Sequence, residues 1–389
     1  MPADARSREW IERLIGFDTV SSKSNLTLIR ELKDYLDHHG LVTRQTYNDA
    51  STKANLFATI PGAGSRLRGG VVFSGHTDVV PAEGQDWSSD PFRAEVRDRR
   101  IYGRGSCDMK GFIGVVLAAV PSLIDLKASR PIHFAFSYDE ELGCLGAPAM
   151  IADIMAAGLN PDACIVGEPT GMQPVAAHKG LCHYRCQVHG RSAHSSRTSE
   201  GVNAIEYAAS IILAFKQLMS RNASQSAAHS EFDIPFTTGN IGMIKGGTAS
   251  NIVAEHCEFH FDCRPMPDFD VEALERQLQE YIRFELLPRM QDVDAASTVV
   301  IEKLVSVPSL SDTDNADLIH AAMRMTGADR PRKVAFATEA GQFSTVGIPT
   351  IVCGPGHIEH AHRADEYVSF EQINLCENFV AEMAAAFAT

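Results

Sequence analysis

Apolar residues Trp10, Leu14, Ile15 and Phe17, and after them Ile29, Leu32 and Leu36, recur at helical spacing, and the second set ends at His38-His39-Gly40. Two opening helices are predicted. Short apolar runs then alternate with longer helical patterns: a strand over 71–73, a helix over 111–126, a strand over 132–136, a helix over 147–157 and a strand over 163–166. Such alternation predicts an α/β fold, with a mixed, largely parallel sheet covered by helices on both faces.

Beyond Lys179-Gly180 the period changes. Positions 182–188 and 251–264 read as strands of period two, with a helix over 204–219 between them. Along Glu255 to Cys263 polar and apolar residues alternate one by one, which gives a strand one wet face and one buried face. Helical patterns over 271–287 and 316–325 flank a strand near 299–304, and the run 349–353 returns to the buried-strand pattern of the first half. The order of elements predicts an α+β domain, residues 180–306, inserted into a first domain made of 1–179 and 307–389. The chain shows no internal repeat and no low-complexity tract.

At 389 residues the chain exceeds what one core usually spans, and 44% hydrophobic with 22% charged residues is an ordinary globular composition. The formal charge of -14 works against nucleic acid and anionic membranes as partners and favours a small molecule, cationic ones included. Nine cysteines stand singly, at 107, 144, 164, 182, 186, 257, 263, 353 and 376, with no Cys-x-x-Cys pair. That usage fits a reduced, cytoplasmic setting. The opening residues carry Asp4, Glu9 and Glu12 and no apolar run, and no stretch reaches the ~20 apolar residues of a membrane span, so no targeting segment is expected.

Chemistry-bearing residues gather where strands end. Ser74-Gly75-His76-Thr77-Asp78 follows the strand at 71–73, and a carboxylate two positions after a histidine suits the second N–H of a metal-bound imidazole. Alone, His76 reads as a satisfied core histidine. Gly103-Arg104-Gly105-Ser106-Cys107-Asp108-Met109-Lys110-Gly111 precedes an apolar helix, where Asp108 alone would read as an N-cap. Asp139-Glu140-Glu141 and Gly167-Glu168-Pro169 each follow a buried strand, the place where open α/β sheets put their ligand sites. A last loop, Gly354 to Glu366, offers His357, His360 and His362, among which spacing cannot choose. Carboxylate oxygens with imidazole nitrogens suit zinc, cobalt or manganese better than copper(I) or calcium.

In their order along nearly the whole chain, His76-x-Asp78, Gly105-x-x-Asp108-Met109-Lys110-Gly111, Asp139-Glu140-Glu141-x-Gly143, Gly167-Glu168-Pro169 and the terminal histidine loop resemble the co-catalytic zinc aminoacylase and acetylornithine deacetylase family. The likeness continues through Ala177-His178-Lys179-Gly180, Thr338-Glu339-Ala340 and Ala361-His362-x-x-Asp365-Glu366-Tyr367. It implies a zinc-exopeptidase-like fold with an inserted dimerisation or lid domain, and two zinc ions per subunit, replaceable by cobalt or manganese. His76 and Glu168 would hold one ion, Glu141 and His362 the other, and Asp108 would bridge them. Asp78 would orient His76, Glu140 would be the general base, and the Asp108-Met109 peptide would be cis.

For the inserted domain the resemblance implies that His194, in Gly190-Arg191-Ser192-Ala193-His194-Ser195-Ser196, enters the active site of a partner subunit in a homodimer. Asn251 and Arg264 would bind the α-carboxylate of an N-acyl amino acid. One departure is that Arg197-Thr198-Ser199-Glu200-Gly201 stands where many relatives carry a proline, which leaves the local loop shape open. The competing expectation is a non-catalytic amino-acid-binding dimer; the intact ligand set and Glu140 argue against it.

Overall fold

The segment Lys110–Asp125 is apolar on nearly every side, so as a helix it has no face to give to water and belongs in the interior; eleven of its sixteen residues are buried. A computed structural model describes residues 4–225, 231–313 and 315–388. The chain divides into two compact units, Met1–Ala177 with Leu310–Lys333 and Thr338–Thr389, and His178–Ser309 with Val334–Ala337.

In chain order the elements are α1 (Ala5–Ile15), α2 (Leu26–His38), β1 (Val42–Tyr47), β2 (Ala54–Ile60), β3 (Val71–His76), β4 (Glu95–Arg97) and β5 (Arg100–Tyr102). Then come α3 (Lys110–Asp125), β6 (Ile132–Ser137), α4 (Ala147–Ala156), β7 (Ala163–Pro169), β8 (Val175–His178) and β9 (Leu181–His189). The run α5 (Ala204–Gln225), β10 (Thr238–Gly246), β11 (His256–Arg264), α6 (Val271–Tyr281), α7 (Leu287–Gln291) and β12 (Thr298–Val307) follows. The chain closes with α8 (Ala316–Thr326), β13 (Arg332–Val334), α9 (Ala340–Thr345), β14 (Thr350–Gly354), β15 (Tyr367–Ser369) and α10 (Phe370–Ala388).

The eight-stranded sheet runs β1-β2-β6-β3-β7-β14-β8-β13. Its centre, β6, β3, β7 and β14, is parallel, and each of these strands is buried along its whole length. Parallel strands covered on both faces need unbroken apolar runs, which is the pattern they show. Towards one edge β6, β2 and β1 pair antiparallel. β1 and β2 are additions to the predicted order: Val42–Tyr47 is polar and exposed, an edge strand without a readable apolar period.

The second unit holds the sheet β10-β11-β9-β12 with α5 and α6. Tyr184, Cys186, Val188, Phe259 and Phe261 alternate onto one face and form a core with Phe215, Ile211, Leu274 and Leu278. His183, Gln187, His189, His256, Glu258 and His260 alternate onto the other. Two expectations are corrected. Residues 251–255 stand outside the strand, which starts at His256, because beyond the His189–His256 pair the regular ladder gives way to irregular pairing. The helix expected over 271–287 is broken by a π-helical turn, Ile282–Leu286, before α7. Pro288 has no N–H to donate and crowds the preceding carbonyls, so an unbroken α-ladder cannot form there. All nine cysteines are buried and free. Among the described residues no helix is long and apolar enough to cross a membrane.

One buried histidine makes the fold of the first unit pH-sensitive. On β6, His133 lies opposite Thr59 of β2, with Nδ1 2.9 Å from the Thr59 hydroxyl and Nε2 2.9 Å from the Gly69 carbonyl. Burial pushes its pKa down to about 4. The unfolded chain therefore binds a proton there below about 6.5 that the folded chain refuses until about pH 4, so stability falls as pH drops through that window. The contribution is roughly 3 kcal/mol at most. In His133→Gln, urea unfolding followed by circular dichroism should lose less stability than the parent between pH 6.5 and 4.

Candidate metal centre

Parallel strands end at the same edge of the sheet, so β3, β6 and β7 deliver their C-terminal residues to one place. β3 ends on His76, opposite Ser137 at the end of β6, and Asp139, Glu140 and Glu141 follow in the next turn; β7 carries Glu168. At Gly167 a Cβ would lie 2.0 Å from the Phe112 ring of α3, so only glycine lets helix and strand meet beside Glu168. Asp108 arrives from the turn before α3. There Gly105 has φ +80, and a side chain would strike Val79 at 2.7 Å. The Asp108–Met109 peptide is cis.

Two groups of three ligand atoms result, His76 with Asp108 and Glu168, and Asp108 with Glu141 and His362, the atoms within each group lying within 4.8 Å of one another. Asp108 belongs to both. Its Oδ1 is 2.9 Å from His76 Nε2, and its Oδ2 is 3.2 Å from His362 Nε2. His362 Nε2 is also 3.1 Å from Glu141 Oε1, and His76 Nε2 is 3.8 Å from Glu168 Oε1. His362 has φ +60, a left-handed backbone that a non-glycine residue holds only when its surroundings enforce it. His357 and His360 lie in neither group: the His357 carbonyl accepts from Cys107 Sγ, and His360 Nε2 is 3.0 Å from the Tyr367 hydroxyl.

The electrostatics show a site with too much negative charge. Burial, reinforced by Asp108, holds Glu168 and Glu141 above the usual carboxylate range. Burial pushes Glu140 up to about 8; His76 opposes the shift, while Glu141, Asp108 and Asp78 add to it. Burial alone would lower His76, yet Asp108, Asp78 and Glu168 hold it well above its ordinary value. Hydrogen bonding to Asp108 and Glu141 raises His362 to about 10. The surrounding acids thus favour positive charge at this place, and among the described residues the buried Glu168 Oε1 has no hydrogen-bond partner. Borderline nitrogens, hard oxygens, a shared carboxylate and an orphaned oxygen are a donor set fitted to two divalent cations.

A surrounding layer fixes these donors. His76 Nδ1 meets the Asp78 main-chain carbonyl at 2.9 Å, closer than the Asp78 carboxylate at 3.5 Å. The carboxylate instead accepts from the Ser21 hydroxyl at 2.6 Å and from the N–H groups of Glu140 and Glu141 at 3.1 and 3.4 Å. Asp78 therefore ties the His76 strand end to the turn that carries both glutamates. Under the site, Glu339 accepts from the hydroxyls of Ser74 and Ser137, each at 2.6 Å. Glu366 accepts from the N–H groups of Gly105, Cys107 and Asp108, and pairs with the buried Arg104 at 2.6 Å. Glu339 and Glu366 sat in sequence motifs without a role, because only the fold brings them under the loops they hold.

The remaining candidates lie in the second unit. His194 and Asn251 are neighbours on an irregular ladder: the Ser195 N–H donates to the Asn251 carbonyl at 2.9 Å, and His194 bridges to Ile252. His194 Nδ1 is 3.2 Å from the Ser196 main-chain N–H and 2.8 Å from its hydroxyl. After it, Ser195–Glu200 forms a kinked 3-10 turn closed by the Arg197–Glu200 ion pair, which settles the loop shape that the missing proline left open. Arg264 ends β11 and pairs with Asp262 at 3.1 Å.

Removing Glu366 would leave the buried Arg104 guanidinium without its carboxylate and three N–H groups without their acceptor. Glu366→Ala should cost roughly 3–5 kcal/mol in urea unfolding, and Glu366→Gln distinctly less.

Comparison with known proteins gives the same direction. Residues 72–386 match the model of "Peptidase family M20/M25/M40". An acetylornithine deacetylase of Pasteurella multocida (strain Pm70) is 34% identical over 97% of this chain and 96% of its own length. In structure, an M20-family metallo-carboxypeptidase of Sulfolobus solfataricus superposes with a TM-score of 0.75 at 17% identity, covering 99% of this chain and 100% of the other. A dinuclear metal-binding M20 peptidase of Bacillus subtilis superposes with a TM-score of 0.64 at 14% identity, covering 98% of each. The strand-end cluster and the family match along most of the sequence make this chain a hydrolase of peptidase family M20/M25/M40.

Proposed function

We propose that the chain hydrolyses N-acetyl-L-ornithine to L-ornithine and acetate, using two zinc ions per subunit. The observation that carries this reading is the sharing of Asp108 between two three-donor groups. Its support on the substrate side is that relatives 34–36% identical are acetylornithine deacetylases, and that a chain of charge -14 suits a substrate with a cationic side chain.

In this reading His76 and Glu168 would hold one ion and Glu141 and His362 the other, with Asp108 a member of both groups. Such ions supply Lewis acidity to an amide carbonyl and to the attacking water. The His76 Nδ1 contact to the Asp78 carbonyl places the ring proton on Nδ1 and leaves Nε2 free as a donor atom. Glu140 takes the proton from the attacking water and passes it to the departing amine, a role worth ~10²- to 10⁴-fold. Asp78 serves it by fastening the N–H groups of Glu140 and Glu141.

His194, Asn251 and Arg264 complete the substrate site. The Ser196 N–H at His194 Nδ1 leaves the ring proton on Nε2, free to donate to a developing oxyanion. Arg264 offers a planar fork to the substrate α-carboxylate. We assign His194 to the partner's site in a homodimer. In support, β10 is an edge strand of its sheet, and its Met243 and Ile244 are 67% and 57% exposed. Such an edge suits pairing with its own copy about a two-fold axis.

Zinc-loaded chain should cleave N-acetyl-L-ornithine with a higher kcat/KM than N-acetylcitrulline, succinyl-diaminopimelate or a dipeptide; Glu140→Ala should keep its metal and lose at least ~10²-fold in kcat. Inactivity of the loaded chain on this substrate would sink the proposal. Mixing inactive His194→Ala and Glu140→Ala chains, unfolded and refolded together, should restore activity, because the hybrid dimer owns one complete site. No recovery in a mixture shown to be dimeric would place His194 in its own subunit's site.

A further inference from the structure

A second set of metal-type donors lies in the other unit, and the catalytic reading makes no use of it. On the polar face of the β10-β11-β9-β12 sheet, His189 of β9 is paired directly with His256 of β11. The next pair along, Gly190 with Glu255, is joined by a main-chain hydrogen bond of 2.7 Å. In an antiparallel ladder the pair beside a hydrogen-bonded one is the closely spaced kind, which drives its side chains together. The two imidazoles accordingly lie 4.5 Å apart between ring centres, with Nδ1 3.1 Å from Nδ1. Glu255, where the ladder becomes irregular, brings a carboxylate oxygen to within 4.8 Å of both.

These distances match a metal's needs. Donors bound at 2.0–2.1 Å in a tetrahedral shell stand about 3.3 Å from one another, so the two nitrogens already span one edge of that shell. The carboxylate needs a shift of less than about 2 Å to span the others. Two imidazoles with one carboxylate form a set that favours zinc and its neighbours over calcium or magnesium, and a fourth position stays open to solvent. The two histidines border a surface cavity of about 520 Å³, which Glu258, Thr298 and Lys245 also line, Lys245 standing across from Glu258.

We propose that His189, Glu255 and His256 form a divalent transition-metal site, separate from the Asp108 cluster and independent of how that cluster works. The site lies at the foot of the ladder that continues from Gly190–Glu255 through Ala193–Val253 to Ser195–Asn251. A bound ion ties the two strands together at that foot.

The test is zinc stoichiometry and affinity on the full chain by isothermal titration and elemental analysis. Wild type should bind one zinc ion per chain more than either His189→Ala or His256→Ala, whatever number the Asp108 cluster holds. Glu255→Gln should keep that ion with affinity weakened about tenfold or more. Zinc should also raise the melting temperature of wild type above that of the histidine variants by an increment that grows with free zinc. A fold defect in either histidine variant would show separately, as an altered circular-dichroism spectrum. Equal stoichiometry and equal zinc dependence in wild type and both histidine variants would overturn the proposal.

Discussion

A buried carboxylate with two imidazoles, one at each oxygen, is the interaction on which the first unit turns. Asp108 is held well below the usual carboxylate range: burial works against its charge, and hydrogen bonds from His362 and His76 outweigh the burial. Neighbouring Glu168, Glu141 and Glu140 are shifted the other way, because so many acids in one low-dielectric place cannot all ionise without added positive charge. The cluster is therefore a poor stabiliser of the fold and a good receptor for cations. Its geometry has to be imposed by something other than its own attractions.

The sheet and three further carboxylates impose it. Parallel strands bring His76, Glu140, Glu141 and Glu168 to one edge, which is a matter of topology. Finer placement comes from acids that spend their oxygens on main-chain N–H groups and hydroxyls. Asp78 binds the glutamate turn, Glu366 binds the glycine-rich turn before α3, and Glu339 joins the ends of β3 and β6 through Ser74 and Ser137. Each charge-assisted bond costs little in solvation only because every oxygen is used, so these residues tolerate change poorly although none of them belongs to either ligand group.

The second unit uses the same secondary-structure logic for another end. One face of its sheet makes a core with α5 and α6, and the other carries polar residues in strict alternation. Cross-strand pairing then turns ordinary alternation into chemistry: His189 and His256, 67 positions apart, meet because the register makes them partners. A shift of one residue would send both into the core and bring Val188 and Cys257 outward.

Much of the first unit could be read directly, since strands buried on both faces and a helix buried all round have no choice about their composition. His76, Asp108, Glu141 and Glu168 were legible for a related reason, as acids and a histidine standing where apolar runs stop. A polar, exposed edge strand such as β1 has no period to read, and the apolar spacing over 271–287 masks the helix break before Pro288. Among His357, His360 and His362, spacing was silent and the family likeness chose; in the fold His362 meets Asp108 and Glu141 while the other two face Cys107 and Tyr367. The sequence by itself determined which segments must be buried and which residue types stand at their ends. Tertiary structure alone decided which oxygen meets which nitrogen, because Asp108 and His362, or Glu366 and Gly105, are neighbours only once strands more than 200 residues apart share a sheet edge.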